Sequence, residues 1–196
     1  MPYALGVDTG DTFTDAVLFE VEKRRVVTVE KVPTTHGELS RGIFNAVDSV
    51  TESVPGEEVI QVSLSSTLAT NAIVEDRGGP VGLLTLGWEP EDGQEFPRSE
   101  RAYVPGKFNA RGEEIRPLEP ELVEEKVEEW EDGVVGFAVS GYFSVRNPEH
   151  ENEVREMVKN HGDKPVIAGH DLSPELGFYE RAVTAILNVK VIPIIN

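Results

Sequence analysis

Cysteine is absent from the 196 residues of this chain. The sequence therefore offers no disulfide framework, no thiolate ligand for a metal ion and no cysteine nucleophile. Basic residues are scarce as well, because 18 Lys and Arg stand against 36 Asp and Glu and give a formal net charge of −18. Such a charge opposes non-specific binding to nucleic acid and to anionic membrane surfaces, so we expect neither as a partner.

Long hydrophobic runs are also missing, and Met1 leads directly into a predicted strand. We therefore expect a soluble, cytoplasmic protein without a membrane span or signal peptide. The apolar, strand-like segment VIPIIN at residues 191–196 suggests a fragment of a longer protein. Neither GxxxxGK[ST] nor GxGxxG occurs, which excludes the two commonest nucleotide-binding motifs.

What the sequence does contain is a regular succession of strand and helix patterns in its first 87 residues. Three β-branched segments predict an antiparallel meander, and apolar residues at three- and four-residue spacing then predict a helix. A strand, a second helix and a fifth strand follow. The predicted elements are strands at 3–8, 14–21, 26–32, 59–64 and 81–86 and helices at about 38–52 and 68–76. The order βββαβαβ predicts an α/β core with one mixed five-stranded sheet and helices on both faces.

The rest of the chain divides into two parts. Residues 88–120 show no period, which predicts an irregular insertion or long loop. Residues 121–196 are expected to form a smaller α/β extension of the core at 1–87. Helices are predicted at 120–130, 148–160 and 180–188 and strands at 134–139 and 166–168.

The stretch LGVDTGDTFTD, residues 5–15, places glycine, threonine and aspartate in the turn between the first two strands. Glycine lets backbone N–H groups approach an anion, and hydroxyl groups add further donors. Carboxylates suit such a site when a cation accompanies the anion, as Mg²⁺ accompanies ATP. The turn resembles the phosphate hairpin of actin-like and sugar-kinase-like ATPases, whose ribonuclease H-like core has this element order. The alternative is a plain structural turn, because Asp, Gly and Thr are ordinary turn residues.

The resemblance to that hairpin implies roles for its residues. Asp8 would contact Mg²⁺ through water and take part in catalysis, and Asp15 would orient the turn or polarise a nucleophile. Asp15 could equally begin the second strand without any catalytic role. The residues expected to hold the phosphates are Thr9, Gly10, Asp11, Thr12 and Thr14.

Three polar residues at the start of the second helix, Thr67, Thr70 and Asn71, are candidates for substrate contact, with N-capping as the alternative for Thr67 and Asn71. Tyr142, Arg146 and Asn147 follow a predicted strand and line either a cleft or a solvent-facing loop. The four histidines, at positions 36, 150, 161 and 170, show no paired spacing typical of a metal site.

Five stretches, taken in order, resemble the N-terminal region of the hydantoinase/oxoprolinase family. They are GVDTGDTFTDAVLFE, KVPTT, SSTLATNAIVEDRGGPVGLLTLG, VSGYFSVRNPEHENEV and LSPELGFYERAVTAILNVKVIP. The resemblance implies ATP-dependent opening of a cyclic amide such as 5-oxoproline or a hydantoin, or carboxylation of a ketone in related members. It also implies a two-lobed ATPase whose second phosphate hairpin lies in a later domain. This chain would then be the first lobe, hold half of the nucleotide site and need a second lobe or a partner subunit.

Asp11 departs from the family pattern, in which the hairpin reads GGTFTD. A carboxylate close to a phosphate is repulsive, so Asp11 points away, recruits a cation, or weakens nucleotide binding. Two other functions remain open: a non-catalytic binding or assembly module, and a small-molecule kinase lobe. The ATNAI and ERAVTAILN stretches argue against the kinase.

Overall fold

The computed structural model describes residues 1–35 and 37–195, which form two compact units, Met1–Asn71 and Ala72–Asn196. His36, one of the four histidines considered above, and Asn196 lie outside the described residues. No helix in the described ranges is both long enough and apolar enough to cross a bilayer.

The first unit is a four-stranded sheet with a helix on one face. Its elements are β1 (Tyr3–Thr9), β2 (Phe13–Glu20), β3 (Arg25–Pro33), α1 (Leu39–Thr51), a 3-10 turn (Gly56–Glu58), β4 (Val59–Ser66) and the start of α2 (Leu68–Val74). The strands lie in the order β3-β2-β1-β4. β2 pairs antiparallel with both β1 and β3, and β4 pairs parallel with β1. The predicted antiparallel meander is confirmed.

Alternation along β1 and β2 decides which side chains lie under the helix. Leu5, Val7 and Leu18 are buried and pack against Ala46 and Val50 of α1. Successive residues of a strand point to opposite faces, so the residues between them face away from α1. The phosphate-hairpin motif therefore contributes side chains to both faces of the sheet.

The second unit contains a parallel sheet with helices on both faces. Its elements are β5 (Val81–Leu86), β6 (Ser99–Val104), β7 (Lys107–Phe108), β8 (Glu114–Arg116), α3 (Pro120–Trp130), β9 (Phe137–Gly141), α4 (Glu149–His161), β10 (Val166–Ala168), α5 (Gly169–Leu172) and α6 (Phe178–Ile195). The main sheet has the order β10-β9-β5-β6, with all three pairings parallel. Residues of α3 and α4 pack on one face, and residues of α6 pack on the other.

The prediction of one five-stranded sheet is wrong, because β5 does not join β1–β4. β5 pairs instead with β6 and β9 in the second unit. All six residues of β5, the run VGLLTL, are buried. A continuous apolar run needs cover on both faces, as parallel sheets provide, and the first unit covers its sheet with α1 on one face. A mixed α/β fold remains, divided into several sheets.

Two further elements differ from the sequence-based expectations. Residues 88–120, expected to be irregular, contain β6 as a full member of the parallel sheet, together with the small β7–β8 hairpin. The apolar segment from residue 191 to 195 is not a strand but the last part of α6. Burial of Ala182, Ile186 and Val189 at helical spacing on the sheet outweighs the strand propensity of the β-branched residues that follow. The division into a core at 1–87, an insertion at 88–120 and an extension at 121–196 stays a prediction.

Candidate functional site

The turn between β1 and β2 is closed by short backbone hydrogen bonds. The Gly10 N–H donates to the Phe13 carbonyl at 2.9 Å. Thr34, which follows β3, holds the same turn from the side: its hydroxyl donates to the Gly10 carbonyl at 2.8 Å and its N–H donates to the Thr12 carbonyl at 3.0 Å. The turn is thus fixed by a third segment of the chain and does not depend on its own residues alone.

Gly10 lies where a side chain would be crowded. A Cβ atom built at Gly10 would stand 3.2 Å from the Phe13 carbonyl oxygen and 3.5 Å from the Thr67 hydroxyl. Thr67 approaches the turn because its N–H donates to the Thr9 carbonyl at 3.1 Å. The turn and the start of α2 are therefore neighbours, and the exposed Thr12 and Thr67 flank a glycine whose backbone is accessible.

Strand alternation divides the predicted phosphate-site residues between the two faces of the sheet. Thr9 and Thr14 are 2% and 0% exposed and lie on the α1 face. The Thr14 hydroxyl shares a 3.2 Å hydrogen bond with the Thr34 hydroxyl, whereas the buried Thr9 hydroxyl has no hydrogen-bond partner among the described residues. Their burial favours support of the turn over contact with a ligand, and a role for Thr9 and Thr14 in holding phosphate stays a prediction.

Asp8 and Asp15 lie on the opposite face, directly across from each other in the β1–β2 ladder. Opposed carboxylates repel each other, and each has a neutralising or hydrogen-bonding partner. Ser65 donates to Asp8 Oδ1 at 2.6 Å, and the Lys31 ammonium lies 3.0 Å from Asp15 Oδ1. The pair is thus held in place by the two neighbouring strands.

A hollow of about 300 Å³ lies on this face above Gly6, which has no side chain to fill it. Asp8, Asp15, Ser63 and Ser65 are among the residues that border it, beside apolar residues of the three strands β1, β2 and β4. Two carboxylates with hydroxyl neighbours suit a hydrated Mg²⁺, which keeps several of its waters and needs few protein ligands. In the described residues no cluster of three or more His, Asp or Glu side chains could hold a metal directly. The donor set therefore fits a water-mediated contact through Asp8.

The three candidates for substrate contact lie at the start of α2. Thr67 and Thr70 are exposed and Asn71 is half-buried, with its N–H donating to the Thr67 carbonyl at 2.9 Å. The Ser66 hydroxyl accepts from the Leu68 N–H at 3.2 Å and so supplies a hydrogen bond at the helix start. The structure brings Thr67 to the turn, while contact of all three with a substrate stays a prediction.

Comparison with known proteins decides the family. A profile of the hydantoinase/oxoprolinase N-terminal region matches residues 4–162. The chain belongs to this family. It is 31% identical to the acetophenone carboxylase gamma subunit of Aromatoleum aromaticum over 94% of the chain, and 30% identical to the caprolactamase subunit alpha of Pseudomonas jessenii over 99% of it. It spans only 30% and 32% of the length of these two relatives.

Solved structures agree with the family assignment. The nucleotide-free structure of an acetone carboxylase superposes on 97% of the chain with a TM-score of 0.81 at 21% identity. The matched part is 32% of the acetone carboxylase chain. The crystal structure of the ATP-dependent caprolactamase from Pseudomonas jessenii matches 98% of the chain with a TM-score of 0.75 at 26% identity, again over 32% of its length. The first structure concerns ATP-dependent acetone carboxylation, and the second is of an ATP-dependent caprolactamase.

Two motifs of the hydantoinase/oxoprolinase family meet inside the second unit. Glu151, from the NPEHE stretch, is fully buried and accepts from the Gly141 N–H at 2.6 Å and from His170 Nδ1 at 2.6 Å. Arg181, from the ERAVTAILN stretch, is 2% exposed and donates to the Gly141 carbonyl at 2.9 Å and to the Ser144 hydroxyl at 3.2 Å. Sequence reasoning left these two motifs without a functional role. In the structure, Glu151 and Arg181 hold the turn that follows β9 through their hydrogen bonds to Gly141.

Protonation of this buried network is governed by competing effects. Burial by itself would raise the pKa of Glu151, but hydrogen bonds from His170, Ser144 and the Gly141 N–H outweigh it and lower the pKa below its ordinary value of 4.5. Burial lowers the pKa of the Arg181 guanidinium, and the nearby charge of Glu151 opposes that shift. Glu151 is therefore an ionised carboxylate at neutral pH.

Sequence reasoning missed several residues around the phosphate turn. Thr34 ties the turn to β3, and Ser63 and Ser65 border the carboxylate hollow. The KVPTT stretch was a signal for Thr34, since it belongs to the family pattern. Ser65 likewise begins the SSTLATNAI stretch of the family pattern, whereas no local signal identifies Ser63, which the parallel pairing of β4 with β1 places beside Gly6.

Proposed function

We propose that this chain is the N-terminal lobe of an ATP-dependent hydrolase of cyclic amides and contributes half of its nucleotide site. The observation that carries the proposal is the phosphate turn, closed around Gly10 and flanked by the Asp8–Asp15 pair, in a chain of this family. We assign the lobe to the ribonuclease H-like, actin-like ATPases on the chain order βββαβαβ of its first elements, although β5 pairs in the second sheet.

In the proposed site, the chain's residues bind and orient the nucleotide. The Gly10–Thr12 turn would receive the phosphates, and Asp8 would hold Mg²⁺ through water. When bound, ATP would supply a phosphoryl group to the amide oxygen, which would activate the amide carbon toward attack by water and cleavage of the ring C–N bond. Asp15 would orient the turn or polarise a nucleophile, and Thr67, Thr70 and Asn71 would contact the amide.

Ketone carboxylation is a second candidate, favoured by the similarity to the acetophenone carboxylase gamma subunit. Both reactions begin with activation of a carbonyl-derived oxygen, an amide oxygen in one case and an enolate oxygen in the other. The same phosphate turn serves either reaction, so the substrate depends on residues outside it.

The remainder of the nucleotide site would come from a second lobe or a partner subunit. Ile60, Val62 and Leu64 on β4 are between 63% and 65% exposed, which is unusual for three apolar residues in one strand. Exposed apolar patches of this kind commonly mark contacts with other protein. The share of about a third that the chain covers in its relatives supports the same proposal. A cytoplasmic location and the use of Mg²⁺ stay predictions.

The experiment is calorimetric titration of the chain with ATP, with and without Mg²⁺. We expect weak binding, with a Kd well above about 10 μM, together with negligible ATP hydrolysis and no release of ring-opened product from 5-oxoproline or hydantoin. Asp8→Asn should weaken the Mg²⁺-dependent part of binding. Asp48→Asn, an exposed carboxylate on α1, is the matched control and should change nothing.

Two outcomes would contradict the proposal. Micromolar affinity with turnover would show that the chain holds a complete site. Absence of any Mg²⁺-dependent binding, or equal binding by the Asp8→Asn and Asp48→Asn variants, would show that the turn does not serve a nucleotide.

A further inference from the structure

The parallel sheet of the second unit has a topological switch point. In chain order its strands are β5, β6, β9 and β10, whereas in space β5 and β9 are central neighbours. The connection leaving β5 carries Trp88 and Phe96, which pack with the α6 cluster. The connection leaving β9 runs through α4, whose Val154 and Val158 pack on the opposite face. Where connections of neighbouring strands depart to opposite faces, a crevice opens at the carboxyl ends of the strands, and ligands of open α/β sheets bind there.

A hollow of about 420 Å³ lies at these strand ends, within the size range of small-molecule sites. Four aromatic residues border it beside polar ones: Trp88 follows β5, Tyr103 is near the end of β6, Tyr142 follows β9 and Phe178 begins α6. The Trp88 and Phe178 ring centroids are 4.7 Å apart, and those of Tyr142 and Phe178 are 5.1 Å apart. The buried Trp88 ring thus supports a group of aromatic residues in which the half-buried Tyr142 and Phe178 border the hollow, where a ligand with an apolar or planar body could contact them.

One ammonium group faces this aromatic hollow. Lys107 Nζ lies 4.3 Å from the centroid of the Tyr142 ring, and Lys107 is half-buried. No ion pair joins Lys107 to any carboxylate in the part of the chain that the structure describes. A lysine that contacts an aromatic ring and keeps its charge unpaired is well placed to receive an anionic group of a ligand.

Two carboxylates restrict the charge of that ligand. Glu89 and Glu91 also border the hollow and are exposed, with Glu91 held by a hydrogen bond from its N–H to the Gln94 side chain at 2.9 Å. They disfavour a polyanion such as a nucleotide triphosphate, which would face two like charges for one lysine. A single carboxylate on an apolar body meets Lys107 without that penalty.

The turn that carries Tyr142 is held rigidly before any ligand arrives. The Tyr142 N–H donates to the Leu86 carbonyl at 2.8 Å, and this hydrogen bond joins the end of β9 to the end of β5. Behind it, Glu151 and Arg181 bind the N–H and the carbonyl of Gly141. Trp88 Nε1 donates to the Ser140 carbonyl at 2.9 Å and fixes the second aromatic wall to the same strand. Binding residues fixed by supporting hydrogen bonds are typical of a preorganised site.

We propose that the hollow at the carboxyl ends of β5, β6 and β9 binds a small organic monocarboxylate with a planar or apolar body, with Lys107 as its charge partner. This site lies wholly in the second unit and does not depend on the phosphate turn of the first.

The test is titration of the full chain with benzoate, followed by calorimetry and by ligand-observed NMR, with the uncharged benzamide as a matched probe. Salt near 0.15 M screens the overall negative charge of the protein beyond about 8 Å. We expect benzoate to bind more tightly than benzamide. Lys107→Gln should weaken benzoate binding about tenfold and leave benzamide binding unchanged, since it removes a charge-assisted contact.

Further variants separate the contribution of the aromatic Tyr142 side chain from that of the Lys107 charge. Lys107→Arg should retain benzoate binding, and Tyr142→Leu should weaken both probes. Lys159→Gln, an exposed lysine on α4, should weaken neither. Far-UV circular dichroism and the thermal midpoint establish that each variant is folded.

The proposal is overturned if benzoate fails to bind to the folded wild-type chain, or if Lys107→Gln leaves its affinity unchanged. Competition by ATP at the same hollow would also overturn it, because the site would then accept a polyanion. Failure of this test leaves the nucleotide proposal untouched, since that proposal is read out by Mg²⁺-dependent ATP binding.

Discussion

The two units of this chain bury their sheets in different ways. In the second unit, helices cover both faces, and every residue of β5 and of β9 is buried. In the first unit, α1 covers one face, and seven of the eight residues of β4 are exposed. The second unit thus has a core of its own on each side of its sheet, whereas the first presents apolar strand residues to solvent.

This difference corresponds to the two kinds of site. The first unit places Asp8 and Asp15 on the uncovered face of the sheet, where they border an open hollow of about 300 Å³. The second unit encloses its polar network, and one of its hollows lies at the strand ends. An open sheet face suits a site completed by other protein, while a closed sheet suits a site formed by one unit alone.

The largest expected effect is loss of the buried carboxylate in the second unit. Glu151→Gln removes the charge that faces Arg181 and replaces an acceptor by a donor opposite the His170 N–H and Nδ1. Breaking such a buried charged network should destabilise the protein by about 3–5 kcal/mol. Urea denaturation measures the change, and Glu153→Gln, an exposed residue of the same helix, serves as the control.

The same variant has a pH dependence with a definite sign. The folded-state pKa of Glu151 lies below its ordinary 4.5, so its stabilisation is present above pH 4.5 and is lost as the pH falls through the lower folded value. The stability gap between wild type and Glu151→Gln should narrow in that acidic range. A gap that stays constant down to acid unfolding would show that Glu151 is not ionised in the folded state.

The second prediction compares a leucine on a central strand of the second sheet with a leucine on an edge strand of the first sheet. Leu84 on β5 is 0% exposed and Leu64 on β4 is 63% exposed. Leu84→Ala should cost about 2–5 kcal/mol, because it opens a cavity in a packed core. Leu64→Ala should change stability by no more than about 0.5 kcal/mol, as at other exposed sites. Equal losses in denaturation experiments would remove the contrast and indicate that β4 is covered in solution.

The smallest expected effect concerns the charge in the phosphate turn. Asp11→Gly restores the family-like turn, and removal of a carboxylate near phosphate should tighten ATP binding by about 1 kcal/mol, or about fivefold. The added glycine gives the unfolded chain more conformational freedom and should lower the free energy of unfolding by about 0.5–1 kcal/mol. Affinities must therefore be compared well below the melting temperatures of both proteins.

Asp11→Asn separates the two effects, because it removes the charge without adding glycine. Both variants should tighten binding in the same calorimetric titration. Unchanged or weaker affinity in both would mean that Asp11 points away from the phosphates or holds a cation that the nucleotide needs.

Local patterns were sufficient for the meander, for α1 and for the position of the turn between β1 and β2. Alternation of apolar residues marks Leu5, Val7 and Leu18, and helical spacing marks Ala46 and Val50. The bounds of α3 were also accurate, because Pro120 suits the first turn of a helix. These features depend on neighbours within a few residues and are readable from the sequence.

Strand partners and the two-sided placement of the motif were decided by tertiary structure. An apolar run such as VGLLTL specifies burial but not which strand pairs with it, so the sequence did not place β5 beside β9 instead of β4. The polar segment at 99–104 becomes a strand only because β5 supplies its hydrogen-bonding partner. Likewise, Glu151, His170 and Arg181 lie far apart in the chain, and their buried network exists because α4, α5 and α6 pack around the end of β9. The sequence determined local periodicity and turn chemistry, whereas long-range pairing and burial, which depend on all parts of the fold together, determined the sites.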